Sequence, residues 1–422
     1  MSRRTFMVIV LVALFNFSYL YRTAPAVIAP SLMQEFSLGA ERLGLLSSTF
    51  YYVFAAAQIP LGPALDSIGP RLTLSLLGTV GAIGSLVFAL APSFGLCLLG
   101  RALIGLGMSG MLMGTLTIIA NWFPPRSFAT LAGMVAALGT VGALLAGYPL
   151  ALLAEAIGWR HSFLLFAAIN IALVGLVWVT VRDHPPGIES PPSEGGTACP
   201  DPFSIRRAFG QVLRTPSFWL ISTVNFFVSG SFFAIQSLWA GPFLMDGFSM
   251  TPAQAGVLIS LIPIGYIAGC PLIGWLSDRL IIPRKRLAMM LLPLYLLPLI
   301  SFAALLSPPR TYLLWPTYFS LGFFAGSGIL TIAHMKALFP GRIVGTALSL
   351  QNLFAVAGGA LLQHCMGMVI EGFPRVGGVY PLPAYRTAFG LPLVGVGFAL
   401  VLYSRAKSPP PTATSGDPRL NV

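Results

Sequence analysis

The chain has 422 residues, 56% of them hydrophobic and only 9% charged, and its mean hydropathy is +0.84. Ordinary globular proteins carry roughly 25% charged residues, so this composition excludes a water-soluble fold of this length and turns most of the surface towards lipid. A net charge of +12 would point to nucleic acid in a soluble protein, but the placement of the basic residues gives a different account.

Hydropathy and length predict twelve helical spans, each of about the 20 residues that a bilayer crossing needs. The first, 6–30, carries Tyr19 and Arg22. The second, 43–65, carries Tyr51 and Tyr52 and runs into the loop GPALDSIGPR, Gly62–Arg71. The third is 72–91, the fourth, 95–120, contains Arg101, the fifth is 128–154 and the sixth 162–181. A stretch rich in Pro, Gly, Ser and charge, 182–216, reads as a linker. Beyond it come 217–243 with Asn225, Ser229 and Gln236, and 252–276 with Tyr266, which ends in a second charged loop, GWLSDRLIIPRKR, Gly274–Arg286. The remaining spans are 286–306, 312–335, 343–370 with Asn352, Gln363 and His364, and 385–404. The domain reading is therefore 1–181, a first six-helix bundle; 182–216, the linker; 217–404, a second six-helix bundle; and 405–422, a tail. The four cysteines have no metal or disulfide spacing, and no metal or other cofactor is expected.

With the N-terminus in the cytoplasm, 17 of the 24 Lys and Arg fall in cytoplasmic segments, five on the outer side and two, Arg22 and Arg101, within spans. By the positive-inside rule this orients the chain with both termini cytoplasmic. The basic charge is then topology, and nucleic acid is not needed to explain it.

The two charged loops are one device written twice, with Gly62 and Asp66 recurring 212 positions later as Gly274 and Asp278. Other landmarks recur in the same order: Ser37 and Gly44 as Ser249 and Gly256, Gly105 and Gly107 as Gly326 and Gly328, Phe123 as Phe339, and Trp159-Arg160 with Phe163 as Tyr385-Arg386 with Phe389. Internal duplication of this kind is the mark of repeat-built transporters.

On these residues the chain resembles the major facilitator superfamily over essentially its whole length. The first loop matches the family's motif A at Gly62, Asp66, Gly69 and Arg71, departing at Ala64 and Ser67. The second copy matches at Gly274, Leu276, Asp278 and Arg279 but lacks the second glycine, and Arg101 with Gly105 and Gly107 matches motif B. The resemblance implies an all-α integral membrane fold of two pseudo-symmetric six-helix bundles, functional as a monomer in a cell membrane, the bacterial inner membrane being the natural setting. It also implies a gating role for the loops, with Asp66 pairing Arg71 and a helix end of the other half. A topogenic turn is the alternative, though it leaves two acids at a membrane edge unexplained.

The acidic residues all fall in loops, motif loops, tail or helix ends, Asp246 among the loop residues. Arg22 and Arg101 are thus the permanent intramembrane charges, without a fixed counter-charge in the spans. A guanidinium there faces a polar interior and holds anions bidentately, so an anionic, carboxylate-bearing substrate is expected. Arg101 has a structural alternative, pairing with carbonyls of the first helix, and Arg22 has another, snorkelling to the outer edge. Arg22 sits in NFSYLYRTAP, which resembles the first-helix segment of the anion:cation symporter branch with Tyr21 in place of that branch's aspartate. A weaker likeness links Tyr51-Tyr52, Gln58, Asn352 and Gln363 to importers of the phagosomal nutrient type. The candidate substrate set is Tyr19, Arg22, Tyr52, Arg101, Asn225, Gln236, Tyr266, Asn352 and Gln363. The candidate gating set is Gly62, Asp66, Gly69, Arg71, Gly274, Asp278 and Arg279.

A proton or other ion is a possible co-transported partner, with His364 the one titratable candidate well inside the membrane; interhelical packing is its other reading. The function so read is secondary transport of a small organic anion by alternating access. The alternatives are efflux of hydrophobic compounds and a non-transporting membrane sensor on the same scaffold. No set of nucleophile, base and acid appears, so an enzyme is not expected.

Overall fold

The computed structural model describes residues 3–123, 131, 133–135, 138–185, 209–280, 282–339 and 341–406. Among them the regular elements are all helices, joined by short turns and loops, with one isolated bridge between Val376 and Val379. Ten helical stretches of these residues are long and apolar enough to cross a membrane. Their outward faces are apolar, with Val179 76%, Ile59 75% and Val394 72% exposed, whereas Arg101, Asn170 and Gln363 are fully buried. That inversion is stable only where the surrounding solvent is hydrocarbon.

The first span is longer than hydropathy indicates. Helix α1, Arg3–Thr23, passes through Ala24 into α2, Pro25–Phe36, because Pro25 occupies a first-turn position where no N–H is needed. Ser37 ends α2 in the left-handed conformation (φ 50°), and α3, Ala40–Ser67, follows. Then come α4, Pro70–Leu90; α5, Phe94–Met108; α6, Met111–Trp122; and α7, Tyr148–Thr180, whose break at Gly158 (φ 80°) is the turn expected between the fifth and sixth spans. The seventh span is α8, Pro216–Ala234, a π-helical turn at Ile235–Trp239, and α9, Ala240–Phe248. Asp246, expected in a loop, therefore lies on a helix. Next are α10, Pro252–Arg279, and α11, Arg284–Leu291, which continues in short turns to Leu305. The rest is α12, Leu314–Ala325; α13, Gly328–Leu338; α14, Gly341–Glu371; and α15, Leu382–Ser404.

The repeat seen in sequence returns as geometry. Ser249 (φ 53°) ends α9 as Ser37 ends α2, and these two are the non-glycine residues with positive φ among those described. Trp159 Nε1 donates to Glu35 over 2.8 Å, and Tyr385 Oη donates to Asp246 over 2.5 Å. Arg160 donates to the carbonyls of Ala89 and Ala91 just past α4, while Arg386 donates to that of Leu306 at the corresponding end of the ninth span. Each half of the chain thus ties an aromatic–arginine pair to an acid and to the open carbonyls of a helix end, where cations are favoured.

One repeated position differs in kind. Arg101 on α5 corresponds to Gly322 on α12, where an added Cβ would stand 1.8 Å from the Ile262 carbonyl oxygen. In the second half the helices close backbone to backbone; in the first, an arginine fills the space. Gly322→Ala is therefore expected to destabilise the protein by about 2 kcal/mol through overpacking, read as a lower melting temperature in detergent with helical content unchanged below the transition.

Candidate functional site

Arg22, near the end of α1, is 9% exposed and surrounded by rings. Its guanidinium carbon lies 4.9 Å from the ring centre of Tyr19, 5.3 Å from Phe54, 5.6 Å from Tyr51 and 5.8 Å from Phe50. A fifth ring, Phe233 of α8, approaches from the other half of the chain at 5.2 Å and stacks on Tyr51. Arg22 Nε and Tyr51 Oη are buried without hydrogen-bond partners. Among the described residues no carboxylate pairs with Arg22; the ion pair there is Arg160–Glu35. Desolvated cation–π contacts are worth about 0.5–2 kcal/mol each, so the rings offset part of what burial of this charge costs.

Phe233 also lines a cavity of about 160 Å³ with Asn225, Ser229, Phe232, Tyr266, Cys270 and residues of α12 and α13. Asn225 Nδ2 donates to the Gln351 carbonyl over 2.9 Å and Asn225 Oδ1 accepts from Ser229 over 2.8 Å. Tyr266 stacks on Phe232. Tyr19, Arg22, Asn225 and Tyr266 of the expected substrate set meet here or next to it through Phe233, and Ser229 joins them from the helical face it shares with Asn225.

The others stand elsewhere. Arg101 is fully buried, donating to the Tyr21 carbonyl over 2.7 Å and to the Ser47 carbonyl over 3.4 Å. It clasps α1 to α3 and lies behind Phe50, whose ring both guanidinium groups share. Tyr52 is 40% exposed, and Tyr51 takes the buried position beside Arg22 instead. Gln236 falls within the π-helical turn, buried and apart from the residues that line this cavity. Gln363 Nε2 donates to Ser237 over 2.9 Å and its backbone carbonyl receives the Trp239 indole N–H, while its Oε1 is buried without a partner. Asn352 lines a separate cavity of about 560 Å³ with Gln58, Leu61, Leu65, Met113, Thr117 and neighbours, between α3, α6 and α14. His364 is half-buried on α14. His334, buried on α13, is hydrogen-bonded to Tyr403 Oη over 2.8 Å.

Of the expected gating set, Gly62 and Asp66 fall in α3 and Asp278 in α10, but the surroundings of Gly62 and the side chains of Asp66 and Asp278 lie outside the described residues. Gly69 (φ 82°) precedes α4, and Asp183, from just beyond α7, caps that helix by accepting the Arg71 N–H over 2.7 Å. The Arg71 guanidinium donates to the Trp178 carbonyl near the end of α7 and lies 4.5 Å from the Trp178 ring. In the second copy Gly274 has open space around it and Arg279 rests on Trp275, 4.7 Å away. The partner of Arg71 in the repeat is Lys285, whose Nζ donates to the carbonyls of Ser404 and Ala406 at the end of α15. Asp183 and Lys285 escaped sequence reasoning because both lie in charged segments that read equally well as topogenic.

These features define a multi-span membrane protein with a cation-bearing aromatic cage to which both halves of its chain contribute, and a cavity lined by residues of the second half next to it. Residues 9–362 and 224–419 match the family model of the Major Facilitator Superfamily, and the chain belongs to that superfamily. Its relatives there are transporters, not enzymes. It is 28% identical over 274 residues to the hexuronate transporter of Bacillus subtilis, 62% of this chain and 61% of that one. It is 32% identical over 187 residues to the nitrate/nitrite transporter NrtP of Picosynechococcus, 38% and 35% of the two chains, and 24% identical to the probable sulfoacetate transporter SauU of Cupriavidus necator, 64% of each. The chain thus spans less than two thirds of the length of these relatives. Among solved structures, a bacterial homologue of the human lysosomal transporter Spinster, inward-facing and occupied, superposes with TM-score 0.77 at 21% identity, covering 98% of this chain and 100% of that one. A point mutant of the nucleoside transporter NupG gives TM-score 0.77 at 14% identity, covering 94% and 99%.

Because Arg101 supplies the donor that Pro25 cannot give to the Tyr21 carbonyl, Arg101→Met is expected to lower the melting temperature by several degrees, leaving that buried acceptor unpaired at about 1–3 kcal/mol. Ligand-induced thermal shifts of the surviving fold should keep their size, which a substrate-contacting arginine would not allow.

Proposed function

We propose that the protein is a secondary active transporter of a small organic anion, working by rocker-switch alternating access between two six-helix bundles. The carrying observation is Arg22, a permanent cation that no carboxylate compensates among the described residues, held where Phe233 of the second half meets the rings of the first and next to the cavity that Phe233 also lines. An isolated guanidinium at this depth is disfavoured by roughly 3 kcal/mol or more. Rings stabilise it without neutralising it, so an incoming carboxylate finds a desolvated, bidentate partner. Asn225, Ser229 and Tyr266 then present hydroxyl and amide groups to the rest of the solute. The names of the relatives, which include carriers of hexuronate, sulfoacetate and nitrate, support an anionic solute.

In this reading the basic loop segments, including the Gly62–Arg71 end, face the cytoplasm with both termini, and the cavity beside Asn352 is the inward vestibule. Arg71 and Lys285 lock the helix ends within each bundle, and Asp66 and Asp278 complete the gate. His364, half-buried on α14, is the candidate for proton coupling in this reading.

The test is uptake of radiolabelled glucuronate, galactonate, sulfoacetate and nitrate into proteoliposomes, with and without a pH gradient. Saturable uptake of at least one is expected, and Arg22→Ala should reduce it about 100-fold, the scale of losing one charged partner at about 3 kcal/mol. Equal uptake by wild type and Arg22→Ala removes Arg22 from the site.

A further inference from the structure

Residues Arg375–Tyr380 form a tight hairpin. Val376 and Val379 exchange backbone hydrogen bonds of 2.9 and 3.3 Å, and Gly377 (φ 63°) and Gly378 (φ 87°) supply the two positive φ angles that such a two-residue turn demands. The turn sets Arg375 and Tyr380 side by side, Arg375 Nη2 donating to Tyr380 Oη over 3.0 Å. Asp246 of α9 fixes the base of the hairpin by accepting the Tyr380 N–H over 3.4 Å and the Tyr385 hydroxyl over 2.5 Å.

From that base the side chains cross to the other half of the chain. Helix α3 begins at Ala40 with Gly39 as its N-cap, a residue that has no side chain to satisfy the first N–H groups. The second half of the chain satisfies them instead. Tyr380 Oη accepts the Ala40 N–H over 3.1 Å and donates to Glu371 Oε2 over 2.7 Å; Glu371 Oε2 accepts the Glu41 N–H at 3.3 Å. Arg375 donates to the Leu38 carbonyl over 2.6 Å. An anion stands at the positive end of α3, with its own cation one hydroxyl away. The fit is close: a Cβ on Gly39 would lie 2.2 Å from a Glu371 carboxylate oxygen, and one on Gly367 would lie 2.6 Å from the Ala40 carbonyl oxygen. At the opposite end, α3 and α14 part around the 560 Å³ cavity.

We propose that this hairpin is the latch of the mouth it covers: α14 and the hairpin cap α3 across the divide between the halves, and the mouth opens only when that cap is released. The latch is independent of which solute is carried, because none of its groups lines the Arg22 cage or the cavity beside it. Two adjacent N–H groups, a carbonyl, a hydroxyl, a carboxylate and a guanidinium must part together, so opening is a cooperative event and not a gradual loosening.

Hydrogen–deuterium exchange of the intact protein tests this without a substrate, comparing wild type with Tyr380→Phe and Arg375→Gln. Each substitution should speed exchange severalfold in peptides covering 26–44 and 241–260, which line the latched end, and slow it in 58–68 and 346–352 around the opposite cavity. Faster exchange confined to 38–44, or no change in either variant, overturns the proposal, because simple fraying of α3 has no effect at a distance. Should Tyr380→Phe lower the melting temperature markedly, the outcome for Arg375→Gln decides alone.

Discussion

A guanidinium buried, among the described residues, without a counter-charge is the constraint around which the rest is arranged. Five rings crowd Arg22, four from its own half of the chain and Phe233 from the other. Aromatic faces attract the cation but leave its hydrogen-bonding edge unserved. Phe233 matters most, since it belongs at once to this cage and to the polar cavity. Any relative motion of the halves must change the surroundings of Arg22.

Around that asymmetric centre the two halves repeat one set of fastenings. Glu35 with Trp159 and Arg160 answers to Asp246 with Tyr385 and Arg386, and Arg71 on the end of α7 answers to Lys285 on the end of α15. All place a charge or donor where a helix end leaves backbone groups unpaired. Such contacts hold helices together within a half without opposing motion between halves. The unrepeated pair Arg101 and Gly322 shows the limit of the symmetry, one clasping backbone and the other admitting it.

The fold was legible because a bilayer leaves little choice: apolar runs of the right length and a duplicated loop point to a transporter of helices. The cage was only half legible. Arg22 stood out as an intramembrane charge, and Asn225 and Ser229 shared a face by simple periodicity. Which tyrosine turned inward could not be read, since Tyr51 and Tyr52 differ by one residue and hence by about 100° around the helix. The aromatic ring from the far half, the capping of α4 by Asp183 and the hairpin bonds to α3 were invisible for another reason. They join residues more than a hundred positions apart, and nothing local records the pairing.

The π-helical turn at Ile235–Trp239 acts as a phase shifter. Such turns hold one residue more than an α-helical turn, and that residue alone reconciles two demands on one rod. Below it, Asn225, Ser229 and Phe233 look into the cavity; above it, Phe243 and Asp246 meet Tyr385. Losing one residue from this turn would wind it back to regular helix and twist everything beyond by about 100°. In this chain, a single-codon deletion there is a larger change of chemistry than a substitution within the cavity lining.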